Sequence, residues 1–178
     1  MLRLPVALLA VLALNAPAAA SFAVALDLEA LVGRADQVVV GRVLAQQPRW
    51  DGGRIVTDIL IEVDEVFAGD AAVGTVLQLV RFGGAIGELG MRIEGEPSFE
   101  DGASYVLFLR QWRGLYRPVG MSQGVLPIEE EDGAPMVQPG GAGLALVTRP
   151  GGTRAFGALR GPRPLSSLRE RIRALVEP

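Results

Sequence analysis

The chain has 178 residues, 49% of them apolar, and a formal net charge of −3. That length suits one domain with a real core, and a weakly acidic chain offers no global electrostatic footing for nucleic acid or an anionic membrane. It contains no Cys and no His, and since all 17 basic residues are Arg it contains no Lys; disulfides, thiol nucleophiles, imidazole bases, thiolate or imidazole metal sites and Schiff bases are thereby excluded.

The N-terminus reads as a secretory signal peptide. Arg3 gives a positive start, Val6 to Leu14 is an unbroken apolar run, and Asn15 and Pro17 break it. Ala18, Ala19 and Ala20 supply the small residues that a signal peptidase needs. Cleavage is expected after Ala20, with Ala23 as the alternative. The Ala-rich second half, interrupted by Pro17, is a poor spanning anchor, because a membrane helix wants about 20 strongly apolar residues. Without Cys the signal cannot be of the lipoprotein kind. The protein is therefore expected to be exported, to the periplasm or the medium, with no stable membrane anchor after cleavage.

The mature chain begins with a short helix over Asp27 to Val32. Asp27 can cap it, and Leu28, Leu31 and Val32 share a face. Gln37 to Leu44 is Val-rich and reads as a strand buried on both faces. Gln46 to Gly53 is a polar turn with a hairpin signal at Asp51-Gly52. Arg54 to Phe67 alternates clearly, with Ile55, Thr57, Ile59, Ile61 and Val63 against Asp58, Glu62 and Asp64; its length predicts a bend or bulge. Thr75 to Phe82 is a third strand.

Gly83 to Gly95 reads as an irregular glycine loop that ends in a short strand. Ser104 to Gln111, Leu115 to Val119 and Gly124 to Ile128 are further strands, and Glu129 to Gly133 is an acidic turn. Pro135 to Gly152 is rich in Pro and Gly and is expected to be exposed, with Leu144 to Val147 as a minor strand inside it. Leu165 to Val176 is an amphipathic helix whose Leu168, Ile172, Leu175 and Val176 share a face. Pro164 precedes it, and Ser167 with Glu170 forms a capping box.

The pattern predicts a mainly β fold: five to seven short strands in a closed or partly closed barrel, with a short N-terminal helix and a C-terminal amphipathic helix. The expected division is a signal peptide at 1–20, a β-barrel domain at 21–134, a Pro/Gly-rich connection at 135–164, and a C-terminal helix at 165–178 packed on the barrel.

Three stretches carry a family resemblance: Ala35-Asp36-Gln37-Val38-Val39-Val40-Gly41-Arg42-Val43, then Glu62-Val63-Asp64-Glu65-Val66-Phe67-Ala68-Gly69-Asp70, then Gly102-Ala103-Ser104-Tyr105-Val106-Leu107-Phe108-Leu109 after the glycine loop. In order and spacing, with the terminal helix, they resemble the netrin-like domains, which include the tissue inhibitors of metalloproteinases. They look closer still to an uncharacterised group of exported bacterial proteins with the same phrases. The resemblance covers about residues 30 to 128 and implies an OB-like five-stranded barrel flanked by helices. Netrin-like domains are usually disulfide-bonded, and the metalloproteinase inhibitors reach zinc through an N-terminal cysteine. This chain has neither feature, so no inhibitory residue carries over.

The glycine loop is the most distinctive local feature. Gly84, Gly87 and Gly90 recur every third residue, but Met91-Arg92-Ile93-Glu94 after them reads as strand, not as the helix that a phosphate cradle needs. The glycines instead permit tight turning or the close approach of a partner, and Ile86 and Leu89 between them make a contact surface. Gly84, Ile86, Gly87, Leu89 and Gly90 are the candidate binding residues.

Other constellations have plainer readings. Glu94 and Glu96, like Glu62 and Asp64, are two apart on one strand face, where paired carboxylates can do acid–base work or simply meet solvent. Glu129 to Asp132 lack the offsets of a calcium loop. Ser122 mimics a nucleophile elbow but has no base. Arg160, Arg163, Arg169, Arg171 and Arg173 make the C-terminal part basic, as the polar face of an amphipathic helix would be. The leading expectation is an exported, non-enzymatic protein-binding module with no cofactor and no metal, whose partner is another exported protein; the resemblance hints at a peptidase. A carboxylate-dependent hydrolase and a structural envelope protein are the alternatives.

Overall fold

The computed structural model describes residues 21–147 and 157–177; the signal peptide read at 1–20 lies outside the described residues, as does part of the connection read at 135–164. Among the described residues the chain is mainly β. In order it forms β1 (Ser21–Val24), α1 (Leu28–Val32), β2 (Gln37–Asp51), β3 (Arg54–Ala68), β4 (Val76–Phe82), β5 (Gly84–Ile86) and β6 (Leu89–Met91). Then come β7 (Ser104–Trp112), β8 (Leu115–Pro118), a 3-10 turn (Met121–Gly124), β9 (Val125–Glu131), β10 (Ala134–Val137), β11 (Leu144–Val147), β12 (Arg163–Pro164) and α2 (Leu165–Val176).

The main sheet runs β12-β10-β9-β7-β2-β3-β4-β8. Its last strand, β8, also pairs with β7, so β7-β2-β3-β4-β8 curls into a partial ring. The curl comes from the β2–β3 hairpin. Its register slips at Val38/Val39, Val40/Gly41 and Val43/Ala45, and each unpaired extra residue bends and twists the ladder. The bend expected in β3 is therefore present. At Gly41 the curl brings the strands too close for a side chain: a Cβ there would lie 2.3 Å from Ile61 Cγ2. Two small ribbons complete the chain, parallel β1–β11 and antiparallel β5–β6.

Side-chain alternation divides the core into two clusters. Val39, Val43, Ile59, Ile61, Leu79, Leu107 and Leu109 pack inside the curl. Val38, Val40, Val106, Phe108 and Leu126 point the other way, onto Leu28 and Leu31 of α1 and Leu165, Leu168 and Ile172 of α2. The Val-rich start of β2 is thus buried on both faces, as its composition predicts. Asp27 caps α1 by accepting a hydrogen bond from Ala30 N at 2.8 Å. The helices sit where the outer face of β2, β7 and β9 would otherwise be bare.

Several expectations are corrected. The polar stretch at 46–51 is not a turn but the far half of β2; only Gly52-Gly53, both at positive φ, turn the chain. Pro48 is tolerated because that half of β2 pairs with β3 along one edge and β7 reaches only Gln37–Arg42 on the other. Likewise Glu129, Glu130 and Glu131 belong to β9, and Asp132-Gly133 make the turn. The connection read at 135–164 carries strands: β10 pairs with β9, β12 pairs with β10, and β11 forms where a minor strand was expected.

Helix α2 starts at Leu165 with no side-chain cap, so Ser167 lies inside the first turn and the capping box is not formed. Leu175 is 38% exposed and does not share the buried face of Leu168 and Ile172. Arg169 instead forks onto Glu65 of β3, with N–O distances of 2.7 and 2.8 Å, and Arg173 approaches the same carboxylate at 3.7 Å. Two of the basic helix residues thus tie α2 to the sheet. Leu168→Ala should cost about 2–5 kcal/mol in urea unfolding, the range for a buried Leu that leaves a cavity, whereas Leu175→Ala should cost within about 0.5 kcal/mol.

Candidate functional site

The inner side of the curl opens at one end into a cleft of about 620 Å³. One wall is the segment from Gly90 to Glu96, and the other is Ser122 with the turn at 139–143. Arg81, Tyr105, Val125 and Pro127 line it from the main sheet. Their direction follows from pairing. Arg81 lies opposite Thr57, whose buried hydroxyl donates to Gly83 O at 2.7 Å, so both face inward.

The glycine segment is a hairpin, not an irregular loop. Strands β5 and β6 pair through Gly84–Met91, Ala85–Gly90 and Ile86–Leu89, and Gly87 turns the chain at φ +59°. Met91 ends β6, and Glu94-Gly95 is a turn, so no strand follows it. Of the five candidate residues, Gly84 and Gly90 line the cleft. Gly87 and Leu89 stand at the hairpin tip, with Leu89 61% exposed, and Ile86 is half-buried. Gly84 is required by packing: at φ +142° a Cβ would lie 2.5 Å from Thr57 Oγ1 and 3.3 Å from both Ile55 and Pro48. The glycine hairpin is thereby pressed against the β2–β3 hairpin, near whose tip Trp50 is 52% exposed.

Glu94 and Glu96 both border the cleft but have different surroundings. Glu94 is exposed and pairs with Arg92 at 3.1 Å. The Glu96 side chain is only 3% exposed. Its Oε1 accepts from Arg117, and its Oε2 accepts from Phe82 N at 3.0 Å. The Arg117 guanidinium lies 4.0 Å from the Phe82 ring centre and 5.6 Å from that of Trp112, and the two rings meet edge to face. This stack fixes the exit of the glycine hairpin to β4 and β8.

Electrostatics in the cleft follow from burial. Desolvation holds the Arg81 guanidinium below its ordinary pKa, with the Glu96 carboxylate pulling the other way. Burial pushes the Tyr105 phenol up, opposed by the hydrogen bond that its oxygen accepts from Glu100 N at 2.9 Å. Ser122 is buried and donates to Ala142 O at 2.9 Å, which anchors the second wall. Among the described residues no group of three or more acidic side chains is placed to hold a metal ion. No helix there is long and apolar enough to cross a membrane.

Sequence reasoning missed Arg81, Tyr105 and Arg117. Arg81 follows the inward alternation of Leu77 and Leu79 in β4, and that parity is the signal that could have found it.

Glu96→Gln should destabilise the fold by about 3–5 kcal/mol, because it leaves Arg117 buried without its counter-ion. Glu94→Gln should change stability by less than about 0.5 kcal/mol. Urea midpoints would separate the two. Alkaline pH gives a second test. Above the ordinary tyrosine value of 10.0 the unfolded chain's phenol ionises first. Unfolding free energy should therefore fall with rising pH until folded Tyr105 also ionises, and Tyr105→Phe should flatten that fall.

No protein-family model matches the chain, and no curated protein or solved structure matches it.

Proposed function

We propose that the chain is an exported, non-enzymatic protein-binding module on an OB-like barrel, and that its contact surface is the glycine hairpin at the open end of the curl. The observation that carries this reading is that two packed hairpins each expose a large apolar side chain, Leu89 and Trp50, while Gly84 and Gly90 of the glycine hairpin line a cleft of about 620 Å³. Exposed large apolar and aromatic side chains are the usual anchors of protein contacts. At Gly87 and Gly90 nothing lies within 4 Å of where a Cβ would stand, so a partner can approach the hairpin backbone closely there. An exported peptidase is the partner class suggested by the netrin-like resemblance.

The hydrolase alternative needs a free carboxylate next to a second one. Glu94 and Glu96 are each held in an ion pair, which favours binding over chemistry. The envelope alternative predicts self-assembly and no captured partner.

The test is capture from the native exported-protein fraction with the wild-type domain and with a Leu89→Ser/Trp50→Ser variant. The wild type should enrich a discrete partner, and the variant should bind it at least about tenfold more weakly, as loss of an interface anchor does. Equal enrichment by both would rule out the hairpin surface. Enrichment by neither would rule out the binding-module reading.

A further inference from the structure

We infer that the cleft receives a short extended peptide by a carboxylate group, and that Arg81 is the residue that binds it. The inference rests on the binding-module reading and adds the chemistry of what enters the site.

Arg81 is a half-buried cation with no carboxylate of its own. Its Nε is buried and has no hydrogen-bond partner among the described residues. Among the described residues it makes no ion pair within 4.0 Å. The nearest anion, Glu96, already spends one oxygen on Arg117 and the other on Phe82 N. Two guanidinium groups thus share one buried carboxylate. The remaining acids are not placed to help: Glu94 is taken by Arg92, and Glu100 is exposed at the rim. A guanidinium removed from water without a counter-ion is destabilising, and its planar fork fits a carboxylate in two parallel hydrogen bonds. The burial that lowers its pKa expresses the same deficit.

The walls favour a peptide over a compact anion. Gly84 and Gly90 on one side and Gly141 and Gly143 on the other leave backbone bare along the cleft. Strand β6 pairs only with β5, so its second edge carries no strand among the described residues. An extended chain can add to such an edge through main-chain hydrogen bonds while one carboxylate reaches Arg81.

The test uses the intact 15N-labelled protein and four probes: an acetylated pentapeptide of Ala and Val with a free C-terminal carboxylate, its C-terminal amide, the amide with a central Asp, and sodium acetate. At least one carboxylate peptide should shift the Arg81 Nε–H and the Gly90 and Gly143 amides saturably. The uncharged amide and acetate should each bind at least about tenfold more weakly. Arg81→Gln should lose the same factor without a lower melting temperature, because it removes a half-buried cation that has no ion pair among the described residues. The free-acid and amide comparison on the wild type stands even if the variant fails to fold.

Equal affinity for acid and amide, equal affinity in Arg81→Gln, acetate matching the peptides, or no saturable shift with any carboxylate peptide would each overturn the inference. A partner captured as tightly by Arg81→Gln as by wild type would also overturn it, while leaving the binding-module reading intact. Peptide binding in the absence of any captured partner would overturn that reading and leave the cleft chemistry standing.

Discussion

One strand bears the constraint on which the fold depends: β7 must be apolar on both faces. Leu107 and Leu109 face the inside of the curl, and Val106 and Phe108 face the two helices. Its backbone is shared in the same way, with β2 along one edge and β9 then β8 along the other. Both hydrophobic clusters and both halves of the sheet therefore meet on nine residues. With no disulfide in the molecule, burial around this strand has to supply the stability that a covalent staple would otherwise provide.

The open end is the complement of that packing. Where β7 and the start of β2 are covered on both sides, the chain is fully buried. Past Gly41 the bulged hairpin continues beyond the helices, and its far half is half-solvated. The 3-10 turn draws remote segments to this end. The Gln123 side chain accepts from Leu26 N at 2.8 Å and donates to Val24 O at 3.2 Å. Ser122 N donates to Gly95 O at 2.9 Å, and Gly141 N donates to Ser122 O at the same distance. The N-terminal strand, the exit of the glycine hairpin and the 139–143 turn are thus held together by two side chains and their backbone. The cleft is built from segments that are far apart in sequence, and its geometry is stable because these polar groups are satisfied.

The parts of this structure legible in the sequence are those where one physical signal dominates. The alternation of Ile55 to Val63, the apolar run through β7, the Asp27 cap and the Leu168–Ile172 stripe all report burial directly. The misreadings share a cause. Residues 46–51 and 129–131 are polar because these hairpin halves project into water, so their strand pairing leaves no apolar period to read. The glycines at 83–95 look irregular because a two-stranded ribbon with bare backbone has almost no side-chain pattern. The capping box failed because β12 delivers the chain into α2 at Leu165, and tertiary pairing overrode a local motif. Of the candidate site, the glycine segment was legible as a distinct feature, but its hairpin pairing and the cleft were not. The parity of Leu77, Leu79 and Arg81 marks Arg81 as inward-facing, but no local signal brings the 139–143 turn, far away in sequence, to the same cleft.

If β7 is the element shared by both cores, its amides should open only when the whole molecule unfolds. Native-state hydrogen exchange measures this directly. Val106, Leu107 and Phe108 should exchange with the free energy of global unfolding. The β5–β6 hairpin and the β1–β11 ribbon, each held by one partner strand, should exchange through smaller local openings. Exchange of β7 at a fraction of the global free energy, or protection of the glycine hairpin equal to that of β7, would contradict a fold organised around that strand.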